Sequence, residues 1–251
     1  MLDYDTEATV YDATRGGVPR AEAAAQAVLG LVPGRARTLL DIGCGTGIVT
    51  ARLARPGLRV LGADASYGMA RKAAERVGAG GAVVLADVRR LPLCDASVDA
   101  VSAVWLLHLV RDAAEVVAEA ARVLRPGGVF ITTVDKDDAH DVGSDIDAVL
   151  APHRTPEAFD RTDLIEAYAA EHGLVPVADA YFTGHGQGRS PLRTAAALLK
   201  GRYASRIAAD GAAAKAIAAA LAALPAPDAP RPDPRYRLLA LHKITQMTAD
   251  G

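Results

Sequence analysis

The passage Thr38-Leu39-Leu40-Asp41-Ile42-Gly43-Cys44-Gly45-Thr46-Gly47 constrains this chain more than any other. Leu39 to Ile42 is a short apolar run, which reads as a strand buried on both faces, as in parallel sheets. Glycines follow at 43, 45 and 47. Glycine takes the positive-φ conformations of a sharp reversal and, lacking Cβ, lets a ligand lie on the backbone. Ile48-Val49-Thr50-Ala51-Arg52-Leu53 then reads as a helix, stopped at Pro56-Gly57. A strand, a glycine loop and a helix in that order commit the chain to an α/β sheet with a ligand-binding loop.

The spacing sorts the candidate ligands. No Gly-Lys-Ser/Thr closes the loop, which excludes a phosphate-cradling P-loop. A dinucleotide fingerprint sets its third glycine one residue later, where this chain has Ile48. Asp41 stands in the strand just before the loop, and a carboxylate there repels a pyrophosphate but suits a cation.

Two more acids fall at strand ends. Leu58 to Ala63 reads as a second strand ending on Asp64, about 20 residues past the loop, where a carboxylate accepts ribose hydroxyls. A helix from about Ser66 to Val77 carries Met69, Ala70 and Ala73 on one face. Ala82 to Ala86 is a third strand, running into Asp87-Val88. A fourth, Val98 to about Val104, is followed by Trp105-Leu106-Leu107-His108-Leu109. Asp112 with Glu115 looks like a capping box for a helix reaching about Leu124. Arg125-Pro126-Gly127-Gly128 closes it before a strand from Val129 to Val134. Open α/β sheets bind ligands along the carboxyl edge of their strands, where Asp41, Asp64 and Asp87 all lie.

The flanks are less regular. A polar segment with Tyr4, Tyr11-Asp12 and Arg15-Gly16-Gly17 precedes an alanine-rich helix from about Pro19 to Leu29. After Val134 come an acidic loop, a helix from Thr162 to Gly173, a strand from Leu174 to Thr183 and a helix from Pro191 to Tyr203. An alanine-rich helix ending near Leu224, a proline-rich linker from 225 to 234 and a last strand from Tyr236 to His242 complete the chain.

Composition narrows the class. The 251 residues are 51% hydrophobic, enough for one domain with additions. A formal charge of -2 without a basic run argues against nucleic acid or anionic membrane as partner. Cys44 and Cys94 are too few for a disulfide framework and fit a reducing cytoplasm. The start, Met1-Leu2-Asp3-Tyr4-Asp5, does not read as a signal peptide, and no run reaches the ~18 apolar residues of a spanning helix.

The glycine loop with its acid, the later strand-end acids, Trp105 to His108, and Arg125-Pro126-Gly127-Gly128 together resemble the class I S-adenosylmethionine-dependent methyltransferases acting on small molecules. The match is firm over about residues 38–134 and holds only in outline outside them. The resemblance implies a Rossmann-like seven-stranded sheet with helices on both faces, a terminal antiparallel strand, and N-terminal and C-terminal lid helices. Residues 1–37 would be the lid segment and 38–251 the cofactor domain, with substrate-lid helices at about 138–172 and 188–224. Cofactor contacts are expected from Tyr11, Arg15, Asp41, Gly43, Cys44, Gly45, Thr46, Gly47, Asp64, Ala65, Met69, Asp87, Val88 and Ala103. Met69 would pack on the adenine, or simply fill core; Asp87 would take the adenine amino group, or cap a loop.

The implied reaction is methyl transfer from S-adenosyl-L-methionine to an O, N, C or S nucleophile, in bacterial specialised metabolism. Such a step needs positioning and exclusion of water more than a catalytic triad. His108 is the first candidate for a general base, against a packing role; His140, His153 and His185 belong to segments facing the substrate mouth or to the surface. No metal is expected, since Ser102-Ala103-Val104-Trp105 supplies no acid to join Asp135, Asp137 and Asp138. Arg189 with Arg193, and Arg202 with Arg206, are spaced to share helical faces. The expected assembly is a monomer or homodimer. Two rivals stand beside this reading: a cofactor-binding protein of the same fold without transfer activity, cyclase-like or regulatory, and a nicotinamide-dependent oxidoreductase.

Overall fold

A computed structural model describes residues 5, 8, 11–136, 144–154, 158–201 and 207–244. Its strands are β1 (Thr38–Ile42), β2 (Arg59–Asp64), β3 (Gly81–Leu85), β4 (Val98–Ala103), β5 (Leu124–Val134), β6 (Leu174–Thr183) and β7 (Arg235–Lys243). They form one sheet in the order β3-β2-β1-β4-β5-β7-β6. The first five are parallel, and β7 inserts antiparallel between β5 and β6, setting Phe130 opposite Leu241 and Phe182 opposite Tyr236. The seven strands with a terminal antiparallel pair are those the sequence leads one to expect. Order reverses at β1 and β4, so the chain leaves these neighbouring strands in opposite directions and opens a crevice above their carboxyl ends.

The described helices are α1 (Tyr11–Thr14), α2 (Gly17–Leu31), α3 (Tyr67–Val77), α4 (Ala113–Val123), α5 (Asp145–Leu150), α6 (Thr162–Glu171), α7 (Pro191–Leu199) and α8 (Gly211–Ala222). One core lies between α4, α6 and the face of the sheet carrying Leu40, Val101 and Phe130. The other holds Ala21, Ala24, Ala25 and Val28 of α2 against Leu39, Ile131, Phe182 and Leu238. A third, separate cluster joins Ile146 and Leu150 of α5 to Leu198 of α7 and Ile217 and Leu221 of α8. The expected lid span therefore divides, since α6 packs into the main core through Ile165 and Ala169.

Several local expectations give way. The helix expected over 48–53 is only a 3₁₀ turn at Thr50–Arg52. The eight residues between Gly47 and Pro56-Gly57 are too few to repay the cost of nucleating an α-helix. Asp112 flanks α4 but makes no capping bond with its side chain; its carboxylate faces Arg89 at 3.1 Å. The fifth strand starts at Leu124 rather than Val129, with an irregularity in its pairing to β4 that absorbs Pro126-Gly127-Gly128. Arg125 there reaches Asp99 at 2.8 Å, and the same Asp99 carboxylate accepts the N–H groups of Arg37 and Thr38, tying β5, β4 and β1 together at the edge away from the crevice. The helix at Pro191 ends at Leu199, and Ser190 caps it, so Arg189 precedes it and shares no helical face with Arg193. Tyr4, Asp137, Asp138, His140, Arg202, Tyr203 and Arg206 lie outside the described residues.

Candidate functional site

The glycine loop leaves β1 at the floor of the crevice. Gly43, Gly45 and Gly47 all have positive φ. A Cβ on Gly47 would stand 2.8 Å from the Ala73 Cα, so this glycine lets α3 pack against the loop. A Cβ on Gly45 would meet nothing within 4 Å, which leaves a stretch of bare backbone facing open space. The Cys44 N–H donates to the Ala63 carbonyl at 3.0 Å, lacing the loop to β2. Cys44 itself is buried, and burial followed by the charges of Asp41 and Asp64 pushes its thiol up, leaving it protonated and unreactive.

Asp64, at the end of β2, is half-buried at the crevice lip. One carboxylate oxygen accepts the Gly45 N–H at 2.8 Å and the other accepts the Ser66 N–H at 2.9 Å. Burial raises its pKa, opposed by these bonds. Asp41 has a different setting. It is 3% exposed, with one oxygen accepting from the Thr50 hydroxyl and the other from Ser102, each at 2.7 Å. Burial lifts it to about 6 despite both bonds. Its carboxylate is engaged within the protein, one layer below the loop.

Beyond β3, Asp87 is exposed and grips Arg89 at 2.8 Å; the Arg89 hydrogen bond, with its charge behind it, holds Asp87 below the usual carboxylate range. Val88 and Met69 are buried, Ala65 exposed, and Ala103 buried at the end of β4 with its carbonyl accepting from Thr132 at 3.1 Å. His108 is half-buried in the 3₁₀ turn Leu107–Leu109 that follows β4. His153 is half-buried beside α5, and His185 is exposed in the loop after β6 with Nδ1 4.0 Å from Asp233. Among the described residues no group of three or more His, Cys, Asp or Glu side chains is placed to hold a metal ion. None of the described helices is long and apolar enough to cross a membrane.

The N-terminal arm runs along α3 and over the loop. The Asp5 carboxylate accepts the Gly68 N–H at 2.8 Å, at the start of α3. Lys72 donates to the Ala8 carbonyl at 2.7 Å. Asp12 accepts from the Thr46 hydroxyl at 2.6 Å and from Arg76 at 2.7 Å, while Arg76 also holds the Thr46 carbonyl. Lys72 and Arg76 are four apart on α3, so one helical face offers two cations to the arm. The arm returns through Tyr11 and Arg15, whose guanidinium lies 5.4 Å from the Tyr11 ring centroid. The sequence points to Tyr11, Asp12 and Arg15 as the arm, but not to Arg76, which holds Asp12, or to Arg20, which holds the Arg15 carbonyl. Arg20 had a readable signal: it lies four and eight residues before Ala24 and Val28, on the apolar face of its own helix.

Trp105 ends the crevice on the side of β6 and β7. Its φ is 56°, a backbone form that non-glycine residues adopt only under tertiary constraint, and its N–H donates to the Thr133 hydroxyl at 2.8 Å. Phe182 and Tyr236 stand edge-on to its ring, with centroids at 5.4 and 5.5 Å.

This geometry has relatives. Residues 40–132 match the family described as Methyltransferase domain. An uncharacterized methyltransferase of Mycobacterium tuberculosis is 37% identical over 130 residues, covering 51% of this chain and 49% of the relative. Among solved structures, the [4+2]-cyclase SpnF superimposes with a TM-score of 0.63 at 19% identity, covering 96% of this chain and 94% of the other. Geranyl diphosphate C-methyltransferase from Streptomyces coelicolor gives 0.54 at 19% identity over 88% of this chain and 79% of the other. The chain thus spans about half the length of the curated relative, and the solved structures share its fold. Residues 40–132 thus match a methyltransferase domain, carried on a seven-stranded sheet of the fold that the solved methyltransferase structures share.

Proposed function

We propose that the chain transfers a methyl group from S-adenosylmethionine to a small organic acceptor. The observation carrying this reading is the open backbone at Gly45, bordered by the Asp64 carboxylate and lacking any lysine in the loop. That donor set suits a cationic nucleoside and not a pyrophosphate. When bound, the cofactor supplies a methyl group activated by the adjacent sulfonium.

The chain's own residues do the rest. Asp64 exchanges its bond to Gly45 for the two ribose hydroxyls, which suit a carboxylate as bidentate acceptor. Asp41 acts at one remove: it fixes Thr50 and Ser102 beneath the loop and keeps negative charge under the cation. Met69 and Val88 furnish apolar walls for the adenine, and Asp87, once turned from Arg89, accepts its amino group. The Thr46–Asp12–Arg76 junction holds the arm down and keeps water from the reacting centre. His108, just past β4, is the residue proposed to receive a proton where the acceptor must lose one. The cap of α5, α7 and α8 covers the acceptor side.

The test is incubation with S-adenosylmethionine and a panel of phenolic, amino and carboxylic acceptors, followed by mass spectrometry. A product heavier by one methylene, formed with an equal amount of S-adenosylhomocysteine, supports transfer. Saturable cofactor binding with a rearranged acceptor of unchanged mass would mean the cyclase-like alternative.

A further inference from the structure

We propose that Arg20 and Trp105 form a binding site for an oxyanion, a carboxylate or phosphate group carried by the methyl acceptor. The inference deepens the methyltransferase reading and rests on it.

Arg20 is 7% exposed, and its guanidinium carbon lies 3.4 Å from the centroid of the Trp105 ring. Among the described residues its guanidinium donates one hydrogen bond, from a terminal nitrogen to the Arg15 carbonyl at 2.7 Å. The Nε of Arg20 is buried and has no hydrogen-bond partner among the described residues, and the indole Nε1 of Trp105 is in the same condition. No carboxylate among the described residues pairs with this guanidinium. Two neighbouring buried donors, one of them charged, are an arrangement that native structures rarely keep without an acceptor. Desolvation lowers the Arg20 pKa, yet a guanidinium stays protonated at neutral pH, so the stack presents a fixed positive charge.

Position identifies what the charge meets. The acids of the cofactor side lie on β1, β2 and beyond β3, at one end of the sheet order. Trp105 follows β4, and its ring contacts Phe182 of β6 and Tyr236 of β7, on the other side of the crevice. An acceptor lodged there meets aromatic surface beside the guanidinium, which fits an apolar or aromatic acid. The cover over this place has two halves. The arm supplies Arg15 and Gly16, and the loop after β6 supplies His185, whose carbonyl would lie 2.2 Å from a Cβ on Gly16. Parting of these two halves admits the acceptor.

Trp105 is the sole tryptophan of the chain, so its emission reads this site directly. The experiment titrates S-adenosylhomocysteine-saturated protein with benzoate, with phenyl phosphate and with neutral benzyl alcohol, in wild type and in Arg20→Met. Expected is a saturable change of emission with an anion and none with benzyl alcohol. Arg20→Met should weaken the anion about tenfold or more while calorimetric affinity for S-adenosylhomocysteine stays unchanged. The proposal is overturned by an absent anion response, by an equal response to benzyl alcohol, or by wild-type anion affinity in Arg20→Met. It is equally overturned if Arg20→Met loses S-adenosylhomocysteine affinity about tenfold, since the group held would then be the cofactor's own carboxylate. Should Arg20→Met not fold, the contrast of anion with neutral probe in wild type decides. Failure of wild-type protein to bind S-adenosylhomocysteine removes the methyltransferase reading and this inference together; failure of the anion arm alone removes only the inference.

Discussion

The Asp64 carboxylate accepts the backbone N–H of Gly45 at 2.8 Å, joining the end of β2 to the barest point of the glycine loop. The bond spans 19 residues of chain and sets the crevice lip before any ligand arrives. Asp64→Ala removes the acceptor for both that N–H and the proposed ribose hydroxyls. Charge-assisted bonds of this kind are worth about 1.5–3 kcal/mol each, so S-adenosylhomocysteine affinity should fall at least about tenfold by calorimetry. Unchanged affinity would refute the ribose assignment.

Gly45 and Gly47 differ in what surrounds them, and alanine at each should separate binding from folding. Gly47→Ala places a methyl 2.8 Å from the Ala73 Cα at φ +72° and should cost about 2–4 kcal/mol of stability, seen in urea unfolding. Gly45→Ala meets nothing at φ +55° and should cost only about 1 kcal/mol, yet project into the cofactor's place and weaken S-adenosylhomocysteine. Equal stability losses in the two variants would contradict this division.

Asp41 predicts a pH dependence. Burial raises its folded-state pKa from 3.8 to about 6, so the folded protein holds a proton that the unfolded chain releases. The stabilisation this gives is complete below about pH 4 and lost as pH rises through 6, at most about 3 kcal/mol at 1.36 kcal/mol per pH unit. Asp41→Asn keeps a partner for each hydroxyl, accepting from one and donating to the other, and cannot ionise. Its stability relative to wild type should therefore improve by about 2 kcal/mol between pH 4.5 and pH 7.5 in urea unfolding. A difference independent of pH would show that Asp41 is not the group held protonated.

The arm rests on Asp12. Asp12→Ala leaves Thr46 and Arg76 without their shared acceptor and should weaken docking by about 1 kcal/mol, since both charges are partly exposed. Limited trypsin digestion should then cut after Arg15 several-fold faster. No change in cleavage would place the arm's anchor elsewhere.

How much of this was legible in the sequence follows the range of the interactions. The glycine loop, the acids at 41, 64 and 87, and the alternation of strands and helices are local signals, and all occupy the expected sheet edge. The segment holding the 3₁₀ turn at Thr50–Arg52 reads as a helix in sequence because its apolar residues have helical spacing, while its length denies helix formation. Asp112 failed as a cap because Arg89, 23 residues away in sequence, claims its carboxylate. That Asp41 faces Thr50 and Ser102 rather than the crevice was hidden, because Ser102 is brought beside it only by the pairing of β1 with β4. The stacking of Arg20 on Trp105, 85 positions apart in sequence, depends on tertiary packing in the same way.

Calorimetric titration of the full chain with S-adenosylhomocysteine, and separately with NAD, tests the central claim most directly. The glycine floor and its acids predict saturable binding of one S-adenosylhomocysteine per chain and no heat from NAD. Binding of NAD, or silence toward S-adenosylhomocysteine, would contradict the account.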